Sequence, residues 1–364
     1  MRKKFLIIFL IIIFIVGAKV GSSIVSFSPV LLQLLFNKNI ELKTTGDAIN
    51  VLILGISGGS HDGPDLTDTI IFASIDQAKN KTTLISLPRD LWVSELSQKV
   101  NTAYTIGESK RKGGGITLSK TVVAKMLNRP INYVVVINFD GFVKAVDLIG
   151  GLTITVDNTL DDKNYPIDGK EQETCGHVPD EIKTFTVTVS AETQLWDFFP
   201  CRYTYLHFDR GQQHMDGKTA LEFVRSRHAE GYEGTDFGRS KRQEKVIAAF
   251  KEKTFSAQTF LNPLKLVSLY STISENIDTD IKQNEIDDFV RLAQKMKGTK
   301  MQSIVLDYGD EQTKRVGLLK HPDITSEYDN QWVLIPRIGN GNFLEIQNYI
   351  TCVLTKDTNS CPIK

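Results

Sequence analysis

Five short apolar segments constrain the fold of this chain more than any other feature. They are rich in Ile, Val, Leu and Thr, which favours β-strands, and they lie at residues 50–55, 69–75, 82–87, 133–139 and 152–156. Apolar side chains recur at helical spacing in residues 116–127, 141–148, 239–253 and 343–353. Because the strands are nearly continuously apolar and alternate with helices, we predict an α/β fold: a central, mostly apolar β-sheet covered by helices on both faces.

The amino terminus has the pattern of a membrane anchor. Arg2, Lys3 and Lys4 precede an unbroken apolar run at residues 5–18, and a patchier run continues to residue 36. Basic residues before such a run predict that the amino end stays in the cytoplasm and that the rest of the chain is exported. We therefore expect a single-pass protein of the cell membrane with its bulk outside the cytoplasm. A cleaved signal peptide is the alternative.

The cysteines agree with export. There are four, and no two have the Cys-x-x-Cys spacing of a metal or redox site, so disulfides are expected in an oxidising compartment. The sequence permits three pairings. We predict that nearest neighbours pair, Cys175 with Cys201 and Cys352 with Cys361, because each pair brackets a loop-like stretch.

Arginine is concentrated around one predicted turn in a chain with 43 basic and 43 acidic residues. Arg225 and Arg227 end one helix, and Arg239, Arg242 and Gln243 lie on the inward-facing stripe of the next. A guanidinium group matches phosphate geometry and stays charged at any relevant pH. The cluster predicts a phosphate or pyrophosphate site, with structural ion pairs as the alternative. The balanced charge argues against a nucleic-acid partner.

Carboxylates lie where the predicted strands end, which is where α/β sheets bind ligands. Asp62 and Asp65 occupy the loop after the first strand, Asp68 opens the second strand, and Arg89 follows the third. Mg²⁺ at a phosphate site takes one or two carboxylates together with phosphate oxygens. Each motif alone is equally typical of a turn or a strand cap, but together with the arginines they predict a magnesium site.

Several motifs occur in an order that resembles a known family. They include Thr67-Asp68-Thr69-Ile70, Ser86-Leu-Pro-Arg-Asp90, Met215-Asp-Gly-Lys-Thr-Ala-Leu221, Arg225-Ser-Arg227 and Asp236-Phe-Gly-Arg239. Over roughly residues 48–300 the chain resembles the LytR-CpsA-Psr family of bacterial cell-wall ligases. The resemblance implies a membrane-anchored protein that faces the wall. It also implies a central sheet between helices and a hydrophobic tunnel for a polyprenyl chain.

The activity that the resemblance implies is transfer of a phosphoglycan from an undecaprenyl-pyrophosphate carrier to peptidoglycan. It makes Asp68 a ligand of Mg²⁺, and it gives Asp236 and Gln243 a role in orienting the site or in proton transfer. The residues that it assigns to the pyrophosphate are Arg89, Lys120, Arg225, Arg227 and Arg239.

Two positions depart from the family pattern. Ser57 stands where the family usually has aspartate, and Leu66 stands where it usually has arginine. Asp62 or Asp65 is the candidate replacement for the missing carboxylate. The alternatives to a transferase are a hydrolase that uses water as the nucleophile and a non-catalytic protein that binds or scaffolds wall polymer. The two departures favour the second alternative.

Three regions are predicted from these patterns. Residues 1–36 contain a cytoplasmic stub, the transmembrane anchor and a membrane-proximal linker. Residues 45–310 form an extracytoplasmic catalytic domain like that of the LytR-CpsA-Psr family. Residues 311–364 form a C-terminal extension with a terminal helix.

Overall fold

The computed structural model describes most of the chain after the predicted anchor. The described residues are 39–59, 63–188, 195–254, 276–296, 298–310, 315–323, 325–356, 358–361 and 363. In this part of the chain, no helix is both long and apolar enough to cross a bilayer. The anchor predicted in residues 1–36 lies outside the described residues.

Strands and helices are interspersed along the described part of the chain. In chain order the elements are β1 (Ala48–Ile56), β2 (Thr67–Asp76), β3 (Lys81–Leu87), β4 (Trp92–Val93), β5 (Gln98–Lys99), α1 (Ala103–Lys110), α2 (Gly114–Leu127), β6 (Tyr133–Asn138), α3 (Phe139–Leu148), β7 (Leu152–Val156), β8 (Leu160–Pro166), α4 (Pro179–Thr188), α5 (Leu195–Phe198), β9 (Tyr203–Phe208), β10 (Gly211–Met215), α6 (Gly217–Arg225), α7 (Asp236–Thr254), β11 (Ile277–Thr279), α8 (Ile286–Lys295), β12 (Lys300–Val305), β13 (Gly309–Asp310), β14 (Arg315–Val316), β15 (Leu319–Lys320), β16 (Ile335–Pro336) and α9 (Leu344–Thr355).

A six-stranded mixed sheet forms the centre of the fold, with the strand order β11-β6-β1-β2-β3-β12. β1 pairs in parallel with β6 and antiparallel with β2. β2 pairs antiparallel with β3, and β3 pairs in parallel with β12. Consequently β1, β3, β6 and β12 run in one direction, and their carboxyl ends meet at one edge of the sheet.

Successive side chains of a strand point to opposite faces of the sheet, and both faces are buried here. Leu52 and Leu54 of β1 pack in one hydrophobic cluster with Leu127 of α2. Ile49, also in β1, packs in a second cluster with Leu292 of α8. The predicted α/β fold with helices on both faces of an apolar sheet is therefore confirmed.

The C-terminal region shares the core of the central sheet. Ile346, Ile350 and Val353 of α9 are buried in the same cluster as Leu52. They recur at the helical spacing seen in the sequence, so one face of α9 meets the sheet layer. The boundary drawn at residue 310 therefore does not separate two hydrophobic cores.

Both predicted cysteine pairs lie at disulfide distance. The Cα atoms of Cys175 and Cys201 are 5.6 Å apart, and those of Cys352 and Cys361 are 5.8 Å apart. The first pair closes the segment that contains α4 and α5, and the second joins α9 to the residues that follow it.

The strand predicted at residues 152–156 lies outside the central sheet. β7 pairs with β10 in a separate two-stranded sheet, which packs with α3, α6 and α7 around a third cluster. The reason is visible in its pattern: Leu152, Ile154 and Val156 are buried, whereas Thr153 and Thr155 are exposed. Such alternation is typical of a sheet with one solvated face.

Candidate functional site

Charged residues gather at the edge where β1, β3, β6 and β12 end, the edge at which α/β sheets place ligands. β2 starts at this edge with Thr67 and Asp68. The Thr67 hydroxyl donates a 3.2 Å hydrogen bond to the Asn101 carbonyl, which fixes the start of the strand. Arg89 follows two residues after the end of β3. The pairing of β2 with β3 therefore brings Asp68 and Arg89 together.

Asp68 is shared by two arginines. Its Oδ1 accepts hydrogen bonds from Nη1 of Arg89 at 2.5 Å and from Nη2 of Arg227 at 3.3 Å. Burial favours the neutral acid, but the charges of Arg227 and Arg89 outweigh burial and hold the pKa of Asp68 below its ordinary value of 3.8. Asp68 is therefore a carboxylate at neutral pH, and it joins the sheet to the arginine-rich turn.

Three guanidinium groups, those of Arg89, Arg227 and Arg239, interact electrostatically close to Asp68. Burial, reinforced by repulsion from Arg239 and Arg89, lowers the pKa of Arg227 to about 10, and Asp68 offsets these effects only in part. An anion that enters the cluster would relieve this repulsion and accept charge-assisted hydrogen bonds. The structure thus assembles Arg89, Arg227 and Arg239 into a site suited to an anion.

A buried aspartate that sequence reasoning missed positions the turn that carries Arg227. Asp162 lies in β8, and its Oδ2 accepts hydrogen bonds from the Ser226 hydroxyl at 2.7 Å and from the backbone N–H groups of Arg227 and His228 at 3.2 Å each. No motif marks Asp162 in the sequence, because its partners lie more than 60 residues further along the chain.

An apolar cavity of about 380 Å³ opens behind the arginines. Its apolar walls come from β1, β2, the end of β6, α3, α6 and α7, and they include Ile53, Leu54, Ile71, Ile137, Phe139, Phe142, Leu221, Val224, Val246 and Ile247. Asp68, Arg225, Arg227 and Arg239 also line it. Strands and a helix between residues 69 and 148 supply part of this lining, and the helices on either side of the arginine turn supply much of the rest.

Arg225 and Gln243 line this cavity. Nη1 of Arg225 contacts both carboxylate oxygens of Asp168 at 2.9 Å, and its guanidinium group lies 4.4 Å from the centre of the Phe139 ring. Nε2 of Gln243 donates a 3.2 Å hydrogen bond to Oγ1 of Thr69, next to Asp68. Stacking on Phe139 and pairing with Asp168 therefore hold Arg225 in place, while Gln243 lies next to Asp68 through its hydrogen bond to Thr69.

The remaining carboxylates have different positions. Asp236 begins α7, but its side chain lies outside the described part of the structure, as does the whole of Asp62. Asp65 does not line the cavity; its charge contributes, after burial, Asp278 and Glu108, to the raised pKa of Tyr104. Among the described residues, no group of three or more His, Cys, Asp or Glu side chains could hold a metal ion.

The structure does not support the prediction that Arg242 contacts the ligand. Its side chain is 3% exposed and donates hydrogen bonds to the carbonyls of Phe223, Ser226 and Glu233, each at 2.7 Å, and to the Glu233 carboxylate at 2.8 Å. Arg242 lies three residues after Arg239, so it points about 60° away around the helix. It therefore joins α7 to the end of α6, and its role is structural.

Lys120 is also placed away from the arginine cluster. Its Nζ pairs with Oδ2 of Asp280 at 2.7 Å and donates to the Asn132 carbonyl at 3.0 Å. It lines a different cleft, between α2 and the residues around β11. The ion pair with Asp280 holds Lys120 in this cleft. The structure therefore does not place Lys120 with the arginines to which the resemblance assigned the pyrophosphate.

A second, narrow cleft of about 30 Å³ reaches the same charged residues. Asp68, Arg89 and Arg239 line it together with Asp307 and Tyr308, which follow β12. Sequence reasoning missed these two residues, because their proximity depends on the parallel pairing of β12 with β3.

The fold and the site together define a class of α/β protein. In this class a mixed central sheet ends at a cluster of arginines that opens into an apolar cavity. Within that class, the chain belongs to the LytR_cpsA_psr family, whose model matches residues 29–326. This match confirms the family resemblance found in the ordered motifs.

Curated relatives include two proteins named polyisoprenyl-teichoic acid–peptidoglycan teichoic acid transferase TagU. The protein from Oceanobacillus iheyensis is 28% identical over 251 residues, which cover 68% of this chain and 63% of the relative. The protein from Enterococcus faecalis is 28% identical over 254 residues, which cover 68% of this chain and 65% of the relative. The matches thus span slightly less than two thirds of the length of these relatives.

Solved structures share the fold. TagV of B. subtilis is 21% identical with a TM-score of 0.54, and the match covers 86% of this chain and 99% of that protein. A protein from Streptococcus agalactiae is 22% identical with a TM-score of 0.55, covering 86% and 89%. TagT bound to LI-WTA is 20% identical with a TM-score of 0.51, covering 86% and 94%.

Proposed function

We propose that this chain is a transferase that moves a glycan phosphate from a polyprenyl-pyrophosphate carrier to peptidoglycan. The observation that carries the proposal is the position of Asp68, Arg227 and Arg239 at one end of a cavity with apolar walls. A polyprenyl pyrophosphate has the complementary shape, because a charged head group is joined to an apolar chain. The names of the TagU relatives support the same classes of donor and acceptor.

The proposed reaction replaces one phosphorus–oxygen bond by another. An acceptor hydroxyl attacks the phosphorus nearer the glycan, the bond from this phosphorus to the bridging oxygen breaks, and polyprenyl phosphate leaves with the electron pair. The proton of the hydroxyl passes to a base. Arg89, Arg227 and Arg239 stabilise the charge on both phosphates, and they are already assembled before the substrate enters.

We also propose that the reaction depends on Mg²⁺, with Asp68 as a protein ligand. A carboxylate oxygen is a donor that Mg²⁺ prefers, and one or two carboxylates suffice where substrate phosphates supply other oxygens. Arg89 and Arg227 already occupy Oδ1 of Asp68. Asp68 therefore suits a cation best when a bound pyrophosphate supplies the other oxygen ligands. The ion would neutralise charge on the phosphates during transfer.

The proposed donor is a membrane lipid, so we further propose that residues 1–36 anchor the chain and that the bulk is extracytoplasmic. The cysteine pairs at disulfide distance support an oxidising compartment. Protease added outside spheroplasts should digest the region after residue 36, and non-reducing peptide mapping should recover both pairs. Full protection of that region, or free thiols, would contradict this topology.

One assay separates the transferase from its alternatives. The purified chain is incubated with Mg²⁺, peptidoglycan and a polyprenyl-pyrophosphate glycan that is radiolabelled in the glycan. A transferase moves the label to peptidoglycan, whereas a hydrolase releases soluble labelled glycan. A non-catalytic binding protein retains the intact labelled lipid. Release alone or retention alone would overturn the proposal.

A further inference from the structure

The cleft that contains Asp307 approaches the charged cluster from the side of β12. β12 pairs in parallel with β3, and the N–H of Leu306 donates a 3.0 Å hydrogen bond to the Ser86 carbonyl. The segment after β12 therefore leaves the sheet beside the segment that leads from Ser86 to Arg89. This places Asp307 in the cleft with Arg89 and Arg239.

Backbone contacts hold Asp307 in place. Its carbonyl accepts the N–H groups of Leu318 and Leu319 at 2.9 Å each, and its Oδ1 accepts the N–H of Gly309 at 3.0 Å. Gly317 packs so closely that a Cβ atom at this position would lie 2.2 Å from the Gly309 nitrogen. A side chain at residue 317 would displace the turn, so the position of Asp307 depends on this glycine.

Two different spaces thus reach one charged cluster. The large cavity is mostly apolar, whereas the narrow cleft carries Asp307, which is 8% exposed. Asp68, Arg239 and Gln243 line both spaces. If the lipid carrier fills the large cavity, the reacting phosphate lies at the shared residues, and the cleft remains as the route for the second substrate.

We propose that the narrow cleft admits the acceptor and that Asp307 takes the proton from its hydroxyl group, which rests on the transferase function proposed above. The acceptor oxygen then forms its bond to phosphorus while polyprenyl phosphate departs. The proton moves from the hydroxyl to the Asp307 carboxylate and afterwards to solvent. Among the described residues that line the cleft, the carboxylates are Asp68 and Asp307. Because Asp68 is the proposed ligand of Mg²⁺, Asp307 is the carboxylate to which we assign the proton transfer.

Tyr308 suits an acceptor sugar at the same cleft. It lines the cleft next to Asp307 and is 53% exposed. An aromatic ring with an apolar face and a polar hydroxyl can pack against a sugar ring and still remain solvated at its edge. Tyr308 would therefore contact the acceptor glycan, while Asp307 contacts its reacting hydroxyl.

Substitution of Asp307 tests the proton transfer. Asp307→Asn keeps an oxygen that can accept the Gly309 N–H but removes the base, so transfer should slow by about 100-fold or more. Its melting temperature, and the rise in melting temperature caused by the polyprenyl-pyrophosphate glycan, should match those of the wild-type protein. In Asp307→Ala, sodium formate should restore part of the lost rate. Tyr308→Ala should raise KM for peptidoglycan with little change in kcat.

Asp323→Asn is the matched control, because Asp323 is exposed and should leave transfer unchanged. Normal turnover of Asp307→Asn would overturn the proposal, as would a lowered melting temperature with weakened donor binding, which indicates a structural role. An unchanged KM for peptidoglycan in Tyr308→Ala would contradict the proposed contact between Tyr308 and the acceptor sugar. If the wild-type chain transfers no label, the transferase function itself fails. If it transfers label and Asp307→Asn does so equally, only the role of Asp307 fails.

Discussion

Ser226 donates a 2.7 Å hydrogen bond from its hydroxyl to Oδ2 of Asp162, and both side chains are fully buried. The same oxygen accepts the backbone N–H groups of Arg227 and His228. Three donors on one oxygen fix the turn after α6. The direction in which Arg227 leaves the backbone is therefore set by a residue of β8 rather than by the turn alone.

Asp162→Ala should lower the free energy of unfolding by about 1–3 kcal/mol, because buried donors lose their acceptor. It should also lower transfer activity by misplacing Arg227. Asp162→Asn retains one acceptor oxygen, so its loss of stability should be smaller. Denaturant unfolding and transfer rates on the same preparations check both effects. Wild-type stability in Asp162→Ala would contradict this account of the turn.

Arg227→Ala should slow transfer by roughly ten- to a hundredfold, the effect of losing about 1.5–3 kcal/mol of charge-assisted phosphate contact in the transition state. The fold should persist, since the side chain of Arg227 is partly exposed. Arg210→Ala is the control, because Arg210 is exposed and does not line either charged space. A mutant with a lower melting temperature but a normal transfer rate would indicate that Arg227 has a structural role and no role in transfer.

Arg242→Ala should behave in the opposite way. It leaves the Glu233 carboxylate buried without its arginine and frees three carbonyls, so the free energy of unfolding should fall by about 3–5 kcal/mol. At a temperature where the variant remains folded, donor binding should persist, because Arg242 does not line the cavity. Thermal unfolding and donor titration measure the two quantities. Loss of donor binding in a variant of unchanged stability would restore Arg242 to the ligand site.

The sequence was sufficient for the parts of this structure that depend on local patterns. Four strands of the central sheet, β1, β2, β3 and β6, and the helix around Arg239 appear where periodicity predicts them. The ordered motifs also singled out Asp68 and Arg227, which the structure brings into contact. What it missed depends on contacts distant in the chain. Asp162 meets its partners across more than 60 residues, and Asp307 reaches the site through the pairing of β12 with β3.

Arg242 shows a further limit of pattern reading. Helical spacing predicted that it lies near Arg239. Spacing alone does not determine whether the guanidinium group of a buried arginine binds a ligand or binds carbonyls of the protein itself. The carbonyls at the end of α6 bind its guanidinium group and determine the outcome.

The contribution of Asp68 to stability should depend on pH with a defined sign. Its pKa in the folded chain is below 3.8, so the stabilising contribution is present above the unfolded value and is lost as pH falls through the folded value. The difference in unfolding free energy between the wild-type protein and Asp68→Asn should therefore be constant above about pH 5 and shift against the wild-type protein at lower pH. Denaturant titrations of both proteins measure it. A difference that is independent of pH would contradict the ion pairs with Arg89 and Arg227.

A bulky side chain in the cavity should separate recognition of the lipid tail from recognition of the head group. Val224 lines the cavity, so Val224→Trp should fill part of its volume without removing an arginine. In the wild-type protein, a polyprenyl phosphate should raise the melting temperature more than a water-soluble sugar pyrophosphate does. In Val224→Trp this additional increase should disappear, while the shift caused by the sugar pyrophosphate should persist. Val178→Trp, at a position that is 55% exposed, should retain both shifts. Equal shifts by the two ligands in the wild-type protein would indicate that only the head group is bound and that the apolar cavity has no part in recognition.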